Sequence, residues 1–151
     1  MSDERIAPSF WLSEFLHSDH AVRRAIDNTP AAMHLANIRN VLAPGMQRVR
    51  ECLGAPVIIS SGYRAPMLNK AIGGSATSQH CDGLAADFRA PAFGSPREVA
   101  RRLVAHAAEL RFDQLIHEGA WVHISFCQRP RGQVLSAHFF PNRTTYTEGL
   151  S

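Results

Sequence analysis

Leu115-Ile116-His117-Glu118-Gly119-Ala120-Trp121-Val122-His123-Ile124-Ser125-Phe126 reads as two short strands closed by a two-residue turn. Gly119 stands first in the turn, where a type II′ connection requires a positive φ. Val122, Ile124 and Phe126 alternate with His123 and Ser125, so the apolar set faces a core and His123 the opposite face. In this register Glu118 stands across from Trp121, His117 from Val122 and Ile116 from His123. Positions 116, 118, 121 and 123 then project from one face, while His117 turns toward the core. Strands joined in this way, with helices before and between them, indicate an α+β fold rather than a doubly wound parallel one.

The neighbouring segments extend this frame. Leu84 to Arg89 alternates, with Leu84, Ala86 and Phe88 on one face and Ala85, Asp87 and Arg89 on the other. Pro56 to Ser60 and Gln133 to Phe139 read as further strands. Thr29-Pro30 marks a helix start, after which Leu35, Ile38, Leu42, Met46, Val49 and Leu53 recur at helical spacing, with a break or kink expected at Pro44-Gly45. Ser95-Pro96-Arg97-Glu98 opens a second helix running through Val99, Leu103 and Leu110. The expected architecture is a small antiparallel sheet packed against N-terminal and central helices, forming one domain over residues 1–151.

Composition narrows the classes. With 151 residues, 45% hydrophobic and 19% charged, the chain is neither disordered, collagen-like nor coiled-coil. It is long enough to fold without disulfides or a structural metal, and it is expected to be a monomer. The net charge is +3, but Lys70 is the only lysine and the arginines are scattered or come in short pairs such as Arg23-Arg24 and Arg101-Arg102. No basic stripe with interleaved aromatics suggests nucleic acid. Met1 to Phe15 carries Asp3, Glu4, Arg5 and Glu14 without an apolar core, and no later stretch is long and apolar enough to span a membrane. Cys52, Cys81 and Cys127 are odd in number and contain no C-x-x-C pair. Synthesis in a reducing cytoplasm without a signal peptide is the expectation.

Asp87 and His123 each occupy the non-core face of a strand, and His80 lies in the glycine-bearing loop Gly73 to Gly83 that leads into the Asp87 strand. Two imidazoles and one carboxylate make a three-ligand zinc site with a fourth position open to water, the arrangement of catalytic rather than structural zinc. The remaining histidines, His17, His20, His34, His106, His117 and His138, read as ordinary surface or core residues.

Ser61-Gly62-Tyr63-Arg64, Asn69, Gly73-Gly74, Ser78-Gln79-His80-Cys81-Asp82-Gly83-Leu84-Ala85-Ala86-Asp87 and Trp121-Val122-His123 together resemble the signatures of the M15 zinc peptidases. This family contains D-alanyl-D-alanine carboxypeptidases and phage endolysins. The resemblance implies one zinc per chain on His80, Asp87 and His123, with Arg64 stabilising charge on the scissile carbonyl. Ser78 would bind the substrate's carboxylate or backbone, and Trp121 would wall the cleft. Many members place an acid three residues before the last zinc histidine, where this chain has Ala120. Glu118, in a Leu-Ile-x-Glu context found in some phage-type relatives, becomes the acid/base candidate, with Asp113 or His117 next. The implied activity is hydrolysis of peptidoglycan stem peptides, either trimming a terminal D-alanine or cutting within the stem or a crosslink. A phage or prophage setting would give access to the wall. The alternative is a wall-binding or virion module that keeps the zinc but lacks turnover.

Overall fold

A computed structural model describes residues 2–151; Met1, the first residue of the expected 1–151 domain, lies outside the described residues. The chain opens with β1 (Arg5–Ala7) and β2 (Phe10–Trp11), an antiparallel pair. Two single-turn helices follow, α1 (Leu12–Leu16) and α2 (Asp19–Arg23), the latter capped by Ser18, whose hydroxyl accepts from the Ala21 N–H at 3.2 Å. A long helical run comes next as α3 (Ala32–Asn37), a wide π turn over Ile38–Leu42, and α4 (Ala43–Leu53). It starts two residues after Pro30, with the extended Ala31 as its N-cap, while the Thr29 N–H donates to Asp27 in a local turn.

At Pro44-Gly45, where a break or kink is expected, the helical run continues, with a π turn directly before it. Pro44 sits in the first turn of α4, and the π turn just before it accommodates the missing N–H and the proline ring. Gly45 lies against the Phe126 ring, where a Cβ would come within 2.6 Å, so the glycine serves close packing. The run ends at Gly54 in the left-handed conformation.

After α4 come β3 (Ile58–Ser61), α5 (Pro66–Ala71), a 3₁₀ turn over Gln79–Asp82 and β4 (Ala85–Arg89). Then α6 (Pro96–Ala105) is capped by Ser95, and the expected single helix to Leu110 divides at His106 into α6 and α7 (Ala107–Leu110). The chain closes with β5 (Gln114–His117), β6 (Val122–Ser125), β7 (Gln133–Phe140) and β8 (Arg143–Glu148).

The main sheet corrects the sequence-based expectation of a small antiparallel one. It has six strands in the order β3-β4-β6-β5-β7-β8, and β7 runs parallel to β5. The segment after β6 loops back past Gly132, with its positive φ, before pairing Gln133 with Gln114. β8 is an edge strand of polar and exposed residues, Arg143-Thr144-Thr145-Tyr146-Thr147-Glu148, without the alternation that announces a strand. One face of the sheet meets α4 and α6 in a core containing Met46, Val49, Phe88, Val99, Leu103, Val122, Ile124 and Phe126. The other face opens into a cleft.

Candidate metal centre and active site

Register puts two site residues side by side. Asp87 of β4 pairs with His123 of β6, and Ile116 of β5 pairs with His123 on its other flank. Asp87 Oδ1 lies 2.9 Å from His123 Nδ1 and 3.2 Å from His80 Nε2. His80 reaches them from the 3₁₀ turn and is 1% exposed. Its Nδ1–H donates to the Gly62 carbonyl at 2.7 Å, which fixes the tautomer and leaves Nε2 as the ligating atom. A Cβ on Gly62 would come within 2.5 Å of the Phe15 carbonyl, so only glycine lets the chain pass there. The three ligand atoms lie within 4.8 Å of one another. Burial pushes the His80 pKa down, favouring the neutral imidazole that can ligate. Burial alone would raise the Asp87 pKa, but the two imidazoles beside its carboxyl, with the His123 hydrogen bond foremost, outweigh it and hold the carboxyl well below the usual carboxylate range. Two imidazole nitrogens and an ionised carboxylate form a donor set that fits a divalent transition metal.

Glu118 directly follows β5, before the turn, and lines the same cleft as Ile116, Trp121 and His123, the one-face grouping expected from the register. Its N–H donates to the Trp121 carbonyl at 3.0 Å, and Gly119 has φ 79°. The turn is tighter than type II′, because the Ala120 N–H bonds the Glu118 carbonyl at 3.0 Å to close a three-residue γ-type turn. Burial raises the Glu118 pKa; nearby His123 opposes this and Asp87 adds to it. Ala120 is exposed at the tip.

Arg64 is held from several directions. Its backbone N–H donates to the His80 carbonyl at 3.0 Å, and its Nη1 donates to Asn69 Oδ1 at 3.1 Å. Asn69, 4% exposed, in turn donates to the Ser75 carbonyl at 2.8 Å. The Arg64 Nε–H is buried and has no protein partner. Gly74 makes room for this arrangement, since a Cβ there would come within 2.0 Å of Asn69 Oδ1. Ser78 lines the cleft while its Oγ accepts the His80 N–H at 3.2 Å, so it caps the turn that carries a ligand.

The fallback acids behave differently. Asp113 accepts from Arg131 through the backbone N–H, Nε and Nη2 at 3.0, 3.0 and 2.8 Å, and from Gln79 at 3.1 Å. Arg131's hydrogen bonds hold it well below the usual carboxylate range, so it is a structural anchor rather than a base. His117 pairs with Val122 and does not line the cleft. His17 and His20, read from sequence as ordinary residues, do line it. Sequence reasoning missed Tyr146, which reaches the cleft from the unforeseen β8, and gave Asn69 no role although its motif was in view. The three cysteines are free.

The cleft encloses about 1280 Å³. The family model described as Peptidase M15 matches residues 8–125, a span that takes in the His80-Asp87-His123 group, Arg64, Ser78 and Glu118 and stops before β7 and β8. No curated protein matches the chain at a significant level. A match over most of the chain, joined to a metal-competent group inside a cleft, places the protein in the peptidase M15 family.

Proposed function

We propose that this protein is a zinc-dependent peptidase acting on peptidoglycan stem peptides, with one zinc held by His80, Asp87 and His123. The observation that carries this reading is the meeting of His80, Asp87 and His123, with ligand atoms within 4.8 Å of one another, beside a partly buried glutamate in a chain of the M15 family. Zinc in a three-ligand protein site supplies Lewis acidity toward water and a substrate carbonyl.

The chain's own groups do the rest. Glu118, with its pKa raised by burial, is suited to take a proton from the attacking water and return it to the departing amine. Water adds to the carbonyl carbon, the C–N bond breaks, and the proton held by Glu118 neutralises the amine. Arg64 lines the cleft and offers its guanidinium to the carbonyl oxygen as negative charge builds there, while Asn69 holds its Nη1. Trp121 walls the cleft beside His123.

Mass spectrometry of purified muropeptides after incubation with the zinc-loaded protein tests this. The expected products are stems shortened by a terminal alanine or stems cut internally, and chelation or His123→Ala should abolish both. Unchanged muropeptides would overturn the hydrolytic reading and leave a zinc-bearing wall-binding module. Full zinc occupancy in His123→Ala would overturn the ligand assignment.

A further inference from the structure

The cleft extends beyond the metal group to a wall made by α2 and the loop after α5, where it is lined by His17, Asp19, His20, Arg23 and Arg24. Asp19 is the only carboxylate on this wall, and His17 Nε2 engages it at 2.8 Å. Among the described residues no carboxylate pairs with Arg23 or Arg24. Both guanidiniums are nevertheless anchored. Arg24 Nη1 donates to the Ala71 carbonyl at 2.8 Å, tying α2 to the end of α5, and Arg23 Nη2 rests against His20 Nδ1 at 3.5 Å. The helix itself is seated by buried Ala21 and by its Ser18 cap. The other carboxylates lining the cleft, Asp87 and Glu118, stand with the metal group. The α2 wall therefore carries a cationic excess of its own, Arg23 and Arg24 against Asp19, which draws an anionic group inside a concave site.

We propose that Arg23 and Arg24 form an anion subsite that takes a free carboxylate of the peptide at a position away from the bond being cut; this rests on the peptidase reading above. A guanidinium presents a planar fork of donors that matches a carboxylate, and both Arg23 and Arg24 line the cleft. The substrate class is narrowed to peptides bearing a second anionic group, and an amidated peptide of the same sequence loses that contact.

The test uses two fluorescently labelled stem peptides that differ only in a free carboxylate or a primary amide on the D-glutamyl residue. Binding is read by anisotropy on zinc-loaded Glu118→Gln protein, so that cleavage does not intrude. The carboxylate peptide should bind about tenfold tighter at low salt, and the preference should shrink as salt rises. Arg23→Gln/Arg24→Gln should make the two affinities equal. Arg101→Gln/Arg129→Gln removes the same charge from exposed sites outside the cleft and should leave the preference in place. Absence of any preference, its survival in Arg23→Gln/Arg24→Gln, or its equal loss in Arg101→Gln/Arg129→Gln would each overturn the subsite. Failure of the peptidase reading shows separately, as zinc-loaded wild-type protein leaving both peptides uncut while the binding preference persists.

Discussion

Two regions build the site by different means. Asp87, His123 and Glu118 belong to β4, β6 and the turn beside them, where the backbone ladder sets each position. Arg64, Ser78 and His80 belong to the winding stretch between β3 and β4, most of which has no ladder. That stretch is held by side chains bonding to backbone: His80 to Gly62, Asn69 to Ser75, and Asn28, which donates to the Leu16 and Tyr63 carbonyls and accepts from the Ala65 N–H. A ladder survives the loss of a side chain, whereas a scaffold of side-chain bonds does not. The two regions should therefore respond differently to substitution.

Glu118→Gln gives the largest expected effect and tests the ladder side. The strand pairing does not use the carboxylate, so zinc content and melting temperature should stay as in wild type. The rate constant should fall on the order of 100- to 10,000-fold, the usual worth of a positioned proton-transfer group. Near-normal turnover would remove Glu118 from the mechanism.

Asn69→Ala tests the other side and should act on two properties together. The Ser75 carbonyl and Arg64 Nη1 lose a buried partner, which costs about 1–3 kcal/mol of stability. Freed from its anchor, Arg64 should also lower the rate constant about tenfold with zinc retained, the equivalent of about 1.4 kcal/mol of transition-state stabilisation. A double-mutant cycle separates positioning from general damage: in an Arg64→Ala background the Asn69 substitution should cost no further rate. Additive rate losses would show that Asn69 does not work through Arg64.

The same contrast explains what the sequence discloses. Alternation along Leu84–Arg89 and Trp121–Phe126, with a glycine opening a two-residue turn, places Asp87, His123 and Glu118 because face and register follow from a period of two. His80 is legible through its motif, but not its hold on the Gly62 carbonyl, a contact between residues 18 apart in sequence. The Asn69–Arg64 bond has no periodic signature, since a buried asparagine is defined by what folds around it. β8 escaped for another reason: its residues are polar and mostly exposed, and it joins the sheet by pairing with β7 rather than by burying an apolar face. Its contribution to the cleft, Tyr146, stayed hidden with it. Pro44-Gly45 disturbs the helix without ending it, because the π turn before Pro44 relieves the proline.

Asp113→Asn carries the smallest expected effect and probes the joint between the two regions. Asp113 precedes β5 and bonds both Arg131 and Gln79, the residue next to His80, so it links the ladder to the winding stretch. Its pKa is depressed in the folded protein from an ordinary value of 3.8, chiefly by Arg131. A depressed folded pKa means that the stabilisation is fully present above the unfolded value and is lost as pH falls through the folded one. Wild type should therefore exceed Asp113→Asn in stability at pH 7, by about 1 kcal/mol because the Arg131 partner is more than half exposed and screened by water. The gap should narrow below pH 3.8, where Asp113 begins to take up its proton on unfolding. Urea denaturation at pH 7 and at pH 3, both with chelator so that the metal state is the same, gives the two gaps. An equal gap at the two pH values would show that shape rather than charge makes Asp113 the link between the ladder and the winding stretch.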